Sequence, residues 1–530
     1  MASKLGKTNV VQIAKRSFAA QPATKALFSP DIQSGTSYNK VKVVSVNETS
    51  PIARISVAFK AGARYETPDN LGITHVLRSA AGLSTEEFTH FGIIRHVQQA
   101  GGSLYATVDR EGIVYTIEAV RKEIGHVHKF LASVVGKTEF RPWEVSDLTP
   151  RLKYDRLTRP SQVRLFDLLH SAAYRSGLGN SLFIPKYHIG KIGPETLQHF
   201  ANEHLTQAKA VVVTSGLSLE DSKEFADSIA FKSGGGSGAA ASKFYGGELR
   251  KASSEPLAYV AVATESASAS AKEALAFAVL KYALGAGPAT KRGVGAGPLS
   301  QAVAGVSGGE AAVSAFNVNY ADSGLFGFVL AASPDKITPA LQASIDVVRG
   351  AGIKDADIAR GKALLKRHLA DSFETLDSTV DSVVRQAVTT GVVKSLPDLL
   401  AEVEAVSSSD VSALKRRLNT SHVDVGIPPS TNFCRWWDSN PGPSASKRGK
   451  ALLKRHLADS FETLDSTVDS VVRQAVTTGV VKSLPDLLAE VEGVTSSDVS
   501  TAAGKIKSGK VASAAFGSLQ KLPYIDTLLK

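Results

Sequence analysis

Apolar residues alternate with polar ones along residues 41–60 as they do in strands. Val41, Val43, Val44 and Val46 form one run, and Ile52, Ile55, Val57 and Phe59 form a second after the polar turn Asn47-Glu48-Thr49-Ser50. Over residues 62–102 the period lengthens. Ile73, Val76, Leu77 and Ala80 share one side of a helix, residues 88–99 predict a second amphipathic helix, and Gly101-Gly102 closes it before the alternation Leu104, Ala106, Val108. A strand over 112–119 follows, then a helix over 123–135 with Val127, Phe130, Leu131 and Val134 on one face. Next come a long polar helix from Pro142 to about 157, a helix over 161–176, a short helix within 192–205 and a strand over 208–215. Strands alternating with helices in this order predict a mixed sheet covered by helices on one side.

The pattern then lapses and resumes. Residues 233–247 hold Gly-Gly-Gly-Ser-Gly-Ala-Ala-Ala-Ser without an apolar period, so a flexible junction is expected at about 229–250. No Lys-Ser/Thr follows the glycines, which argues against a phosphate-cradling loop. Beyond it the plan repeats, with strands at 258–263, 312–318 and 324–332 and helices at 272–284 and 337–348. The glycine-rich residues 285–309 read as a surface loop. Residues 360–391 read as one long helix, because Leu365, Leu369, Phe373, Leu376, Val380, Val383 and Ala387 recur at spacings of three or four. Pro397 opens a shorter helix to about 406, and 511–516 read as a last strand. The expected fold class is α+β, with one half over 36–228 and another over 251–530.

One repeat is of a different kind. Residues 360–404 recur letter for letter as 448–492, an offset of 448 minus 360, or 88 residues. Structural repeats diverge because each copy meets different neighbours. Two identical copies indicate a recent duplication or a faulty gene model. The spacer at about 413–447 includes SHVDVGIPPSTNFCRWWDSNPGPSASK, with little period and many Pro and Ser, and resembles translated non-coding DNA. One copy is surplus; identical sequences let either fill the helical slot in the second half, and continuity with the last strand gives the second copy the better claim.

Composition narrows the classes. The single cysteine, Cys434, excludes a disulfide framework and a thiolate cluster. No run of 18 apolar residues is present. The formal charge of +11 is scattered, with no Lys/Arg tract and no interleaved aromatics of a nucleic-acid platform. Before Asp31 the chain carries Lys4, Lys7, Lys15, Arg16 and Lys25 without an acidic residue, mixed with Val10, Val11, Ile13 and Ala14. Residues 1–35 are therefore expected to be a mitochondrial presequence and disordered start, with cleavage after Arg16 or a few residues later.

Residues 62–102, with the runs Gly62-Ala63-Arg64-Tyr65-Glu66 and Leu71-Gly72-Ile73-Thr74-His75, resemble the N-terminal domain of the M16 family. That family holds mitochondrial processing peptidases, insulin-degrading peptidases and core subunits of the mitochondrial ubiquinol-cytochrome c reductase. The resemblance implies two homologous halves closing as a clamshell, and in active members an inverted zinc motif, His-x-x-Glu-His, on the first helix. The matching residues here are His75, Val76, Leu77, Arg78 and Ser79. Such a site needs two imidazoles one helical turn apart and a carboxylate to take a proton from metal-bound water. Arg78 stands in place of the glutamate and Ser79 in place of the second histidine; an arginine accepts no proton and repels a cation. For the family's remaining glutamate ligand, residues 143–155 offer Glu144, Asp147 and Asp155. His75, His90 and His96 are read as packed histidines rather than ligands. No catalytic, cofactor-binding or metal residue is assigned, and no cofactor.

Subtracting one unit, 530 minus 88, leaves 442 residues, the length expected of a core-subunit precursor. The resemblance implies a non-catalytic structural subunit of complex III, peripheral to the inner membrane on the matrix side. Its partners there would be core protein 1 and membrane subunits including cytochrome b, in a dimeric complex. The alternative is a non-catalytic presequence-binding partner subunit of a mitochondrial processing peptidase. An active metallopeptidase is the third class, and would bind about one zinc per chain.

Overall fold

The computed structural model describes residues 31–47, 50–234, 238–271, 273–287, 297–349, 354–407, 410–411, 511–519 and 522–525. The first half is a six-stranded sheet made of β1 (Asp31–Thr36), β2 (Lys42–Asn47), β3 (Ile52–Phe59), β4 (Ser103–Val108), β5 (Ile113–Val120) and β6 (Ala210–Ser215), ordered β1-β2-β6-β3-β5-β4. Only the β2–β6 pair is parallel. β1 corrects the expected boundary, since residues 31–35, assigned to a disordered start, pair with β2 from Asp31↔Asn47 to Thr36↔Lys42. The polar sequence Asp-Ile-Gln-Ser-Gly-Thr gave no apolar alternation from which to read an edge strand.

Helices α1 (Ile73–Ser79), α2 (His90–Gln99), α3 (Ile124–Gly136), α4 (Pro142–Asp147), α5 (Thr149–Leu157), α6 (Ser161–Tyr174), α7 (Pro194–His204) and α8 (Leu219–Ser228) belong to this half. The expected long helix from Pro142 is two helices meeting at Leu148, because Pro150 lacks an N–H and fits only in a first turn. Helix α8 had no counterpart in the sequence reading; Ser218 caps it by accepting from the Asp221 N–H.

The second half repeats the order. Strands β7 (Gly247–Ala252), β8 (Ala258–Ser266), β9 (Ala311–Asn319), β10 (Gly324–Ala332) and β11 (Ala512–Gly517) run β7-β11-β8-β10-β9, again with a single parallel pair, β7–β11. Its helices are α9 (Glu273–Leu284), α10 (Pro298–Ser307), α11 (Ile337–Arg349), α12 (Asp355–Asp371), α13 (Leu376–Thr389) and α14 (Leu396–Ala405). The flexible junction is shorter than expected: Phe244 is buried, the Tyr245 N–H donates to the Ala173 carbonyl, and β7 begins at Gly247. Within the glycine-rich stretch α10 replaces the expected loop, opened by Gly297-Pro298 and stopped by Gly308 at φ +68°.

The long helix expected over 360–391 is also two. Helix α12 ends at Asp371, Phe373 is buried in the gap, and Thr375 starts α13 by accepting from the Ser378 N–H. The apolar stripe therefore serves two cores. Leu365 packs into the second half with Val260, Leu280 and Leu330, whereas Val380, Val383 and Ala387 pack on Val44, Val46, Ala58, Val211 and Val213 of the first sheet. The exchange is reciprocal. Leu165, Leu169, Ala173 and Tyr174 of α6 pack on Ala261, Leu325, Ala514 and Phe516 of the second sheet.

Covering both faces explains why β2 and β6 read as nearly continuous valine. Val43 and Val212 face their own half's helices while Val44, Val211 and Val213 meet α13. The expected cover on one side is thus completed by a helix lent from the opposite half. It is the first copy, residues 360–404, that supplies α13 and α14, correcting the expectation that the second would. Residues 448–492, the spacer with Cys434 and residues 1–30 lie outside the described residues.

Candidate functional site

Helix α1 starts in a tight turn. Gly72 adopts φ +88°, and a Cβ there would lie 2.4 Å from the Ile184 Cα, so only glycine lets the two segments touch. Glu66 then caps the helix from below: its carboxylate accepts from the Gly72 N–H at 2.7 Å, and from the Thr74 N–H at 3.0 Å and hydroxyl at 2.6 Å. Burial pushes its pKa up to about 7 against these hydrogen bonds.

This turn fixes His75 in the interior. The Ile184 N–H faces its Nδ1 at 3.4 Å, Phe183 meets the ring edge-on at 5.2 Å, and Nε2 lies 3.4 Å from Asp155 Oδ2. Burial, reinforced by the Arg78 guanidinium, lowers its pKa to about 4, so the ring is neutral at neutral pH. With Nδ1 turned to a backbone N–H, the single ring proton is assigned to Nε2, which lies near the Asp155 carboxylate without a hydrogen bond to it. A nitrogen carrying that proton has no lone pair for a metal.

Arg78 occupies the remaining side of that carboxylate. Its Nη2 donates to Asp155 Oδ2 at 2.9 Å, and its guanidinium lies 5.9 Å from the Phe183 ring centre. Ser79 turns away: its hydroxyl donates to the His75 carbonyl one turn back, at 3.0 Å. The three positions of the altered motif are therefore all engaged, in an ion pair and in helix-internal bonds. A divalent cation here would meet a fixed guanidinium and a protonated Nε2, so the residues present do not fit zinc. Among the described residues no group of three or more His, Cys, Asp or Glu could hold a metal ion.

Of the three acids offered by the sequence for the remaining ligand, the structure brings only Asp155 to His75. Glu144 accepts from the N–H and hydroxyl of Ser84, and Asp147 is exposed. His90 and His96 are not drawn in either. His90 Nδ1 lies 2.6 Å from the Gly82 carbonyl, and His96 stacks on Phe130 at 5.6 Å. The capping role of Glu66 and the aromatic wall Phe183 were missed. The acid lies six residues before Gly72, but only the fold brings it beneath the helix.

A cavity of about 1440 Å³ opens between the halves, bounded by β4 and β5, the edge strand β9, the start of α9 and helices α13 and α14. Six carboxylates line it, from Asp109, Glu111, Glu273, Asp381, Glu402 and Asp410, against three cations, Arg110, Arg385 and Lys394. The halves are bound beside it by polar bridges. Arg64 reaches Asp322 of the β9–β10 turn at 2.9 Å, Glu111 accepts from the Ala321 N–H at 2.9 Å, His170 Nε2 meets the Tyr320 hydroxyl at 2.7 Å, and Arg54 on β3 holds Asp377 and Asp381 of α13 at 3.0 and 3.1 Å.

A family model for insulinase, peptidase family M16, matches residues 42–186, and one for the peptidase M16 inactive domain matches residues 191–365. The chain belongs to the M16 family. Cytochrome b-c1 complex subunit 2 of Mus musculus is 36% identical over 400 residues, which is 74% of this chain and 88% of that protein. Its Homo sapiens counterpart is 35% identical over 380 residues, 70% of this chain and 84% of the relative. More distant is a probable mitochondrial-processing peptidase subunit alpha-1 of Arabidopsis thaliana, 26% identical over 410 residues, 74% of this chain and 81% of the relative. Among solved structures, a chain of complex III2 from Candida albicans, Inz-5 bound, superposes with a TM-score of 0.62 at 18% identity, covering 73% of this chain and 93% of that one. That superposition speaks for the fold. The M16 scaffold is thus present in both halves, while the position of the catalytic glutamate carries Arg78 in an ion pair with Asp155 and that of the second histidine carries Ser79, bonded back to its own helix. Altered chemistry on an unaltered frame fits a non-catalytic member.

Proposed function

We propose that this chain is a non-catalytic structural core subunit of the mitochondrial ubiquinol-cytochrome c reductase, of the subunit 2 type. The carrying observation is the pair Arg78–Asp155 beside a neutral His75, where an active M16 protein needs a carboxylate base and a second imidazole. The identity to subunit 2 relatives over most of their length supports the same reading. In this role the chain lies peripherally on the matrix side of the inner membrane, beside core protein 1 and beneath membrane subunits including cytochrome b, in a dimeric complex. No described helix is long and apolar enough to cross a membrane, which accords with a peripheral seat. Residues 1–30 would direct import and be removed. Native-gel migration of the endogenous protein tests this: comigration with cytochrome b, and less than 0.1 zinc per chain, is expected. A free pool carrying about one zinc per chain would refute it.

One feature favours a second role, presequence binding without cleavage, as in a partner subunit of a processing peptidase. Of the six carboxylates that line the cavity between the halves, Glu111, Asp381 and Glu402 are held by Arg64, Arg54 and Lys394, and Asp109, Glu273 and Asp410 are the acids that a basic amphipathic peptide would meet. A titration with a fluorescent presequence peptide separates the roles. Saturable, salt-sensitive binding that weakens in Glu273→Gln/Asp410→Asn supports the second, and no binding leaves the structural role alone.

A further inference from the structure

The slot filled by residues 360–404 is specified by side chains that the chain contains twice. The side chains of this segment that pack on the first sheet, Val380, Val383 and Ala387 among them, recur 88 positions later as Val468, Val471 and Ala475. The same holds against the second half. Arg360 Nη2 donates to the Ala283 carbonyl at 2.9 Å, and Gly361 lets α9 approach so closely that a Cβ would sit 2.9 Å from the Ala283 nitrogen; Arg448 and Gly449 repeat both. The match runs past the identical block. Buried Val406 and Val411, and Asp410, which accepts from the Ser407 N–H, recur as Val494, Val499 and Asp498.

What differs is Ala405 and Ser407, which read Gly493 and Thr495 in the second copy, and the residues upstream. The first copy is preceded by Asp357, which accepts from the Lys354 N–H at 3.1 Å and pairs with Arg360 at 2.8 Å, and by Ile358, 3% exposed in the second core. The corresponding residues before the second copy are Ala445 and Ser446, which supply neither the cap nor the apolar side chain. Chain connection does not choose between the copies. With the first in the slot the surplus 88 residues lie between α14 and β11; with the second they lie between α11 and the slot. Closure entropy varies only with the logarithm of loop length, so the two arrangements are nearly balanced.

We propose that the two copies are interchangeable occupants of one slot within a single chain, and that Asp357 and Ile358, which precede only the first copy, weight the slot toward it. The fold is then buffered against damage to either copy. The test uses the full 530-residue chain carrying Arg385→Lys, an exposed change that gives the first copy's peptides a distinct mass for hydrogen exchange. Protection is expected in the tagged copy. Adding Ile358→Ser should move the occupancy ratio toward the second copy by roughly ten- to a hundredfold, the exchange equivalent of one buried isoleucine.

A second set of variants keeps the question decidable if that shift is small. Val380→Asp with Val383→Asp should leave β2, β3 and β6 protected and transfer helix protection to residues 468–476. Val468→Asp with Val471→Asp should match the parent, and all four changes together should abolish protection of the first sheet. The proposal is overturned if the first pair alone is as damaging as all four. It is equally overturned if the rescued protection depends on protein concentration, since the occupant would then come from a second molecule.

Discussion

At residue scale, the decisive change is from a proton acceptor to a permanent cation one turn beyond His75. Arg78 and Asp155 are each only partly exposed, so their pair is worth more than a surface bridge and less than a dry one. Arg78→Ala should lower the unfolding free energy by about 1–2 kcal/mol in urea titration. Arg78→Lys should recover only part, because an ammonium cannot both bond Asp155 and lie against Phe183 as a planar guanidinium does. The neighbouring imidazole yields a pH prediction. His75 and His204 both have folded pKa values lowered to about 4 by burial, and His170 is lowered too, so an unfolded chain binds protons first as the pH falls. Their contribution is whole above about pH 6.5 and is lost as the pH falls toward 4; for His75 the loss is at most about 3 kcal/mol. Glu66, raised to about 7, works the other way in the same window, but three histidines outweigh one carboxyl, so urea midpoints measured between pH 7.5 and 4.5 should fall, and His75→Gln should flatten the slope.

At the scale of elements, a short helix with its apolar side buried depends on its ends. Helix α1 has seven residues, and Glu66 satisfies two of its free N–H groups from outside. Glu66→Ala should destabilise the chain by about 1–2 kcal/mol, with exchange rising first at Gly72 and Thr74. Helix α6 makes the opposite demand: although it is encoded in the first half, Leu169 is fully buried against the second sheet. Leu169→Ala should cost about 2–5 kcal/mol, and the protection lost should lie in β8 and β11 rather than in β2 or β3. These two helices also mark what the sequence could disclose. The altered motif at His75, Arg78 and Ser79, the apolar faces of α1 and α3 and the span of α6 were legible, because composition and period are local properties. Which sheet a stripe packs on is not local, so the split of 360–391 between two cores and the exchange of α6 and α13 stayed hidden. The break at 372–375 did leave a trace, in the Thr375-x-x-Ser378 cap. Asp155 was one of three candidate acids, and only the packing of α5 against α1 selects it.

For the whole molecule, the reciprocal loan of helices means that each half has one core of its own and one sheet face covered by the other half. The cluster around Leu169 needs β8, β10 and β11 from one half and α6 from the other; the cluster around Val383 needs β2, β3 and β6 and the borrowed α13. Burial of several large side chains in each cluster outweighs the polar bridges, since each fully buried Val or Leu contributes about 1.5–3 kcal/mol against about 1 kcal/mol for a partly exposed ion pair. The connecting peptide is therefore dispensable for holding the halves together. A protease site introduced at residues 235–237 and cleaved in the folded protein should give two fragments that still coelute in gel filtration and unfold in one urea transition. Adding Leu169→Ala and Val383→Ala, which thins both borrowed contacts, should let the fragments separate at a lower urea concentration, whereas Asp322→Asn, which weakens the bonds from Arg64 and the Ser242 N–H and touches neither apolar cluster, should shift that point much less. Separation of the unsubstituted fragments in buffer would mean that the linker, and not the exchanged helices, holds the two halves in register.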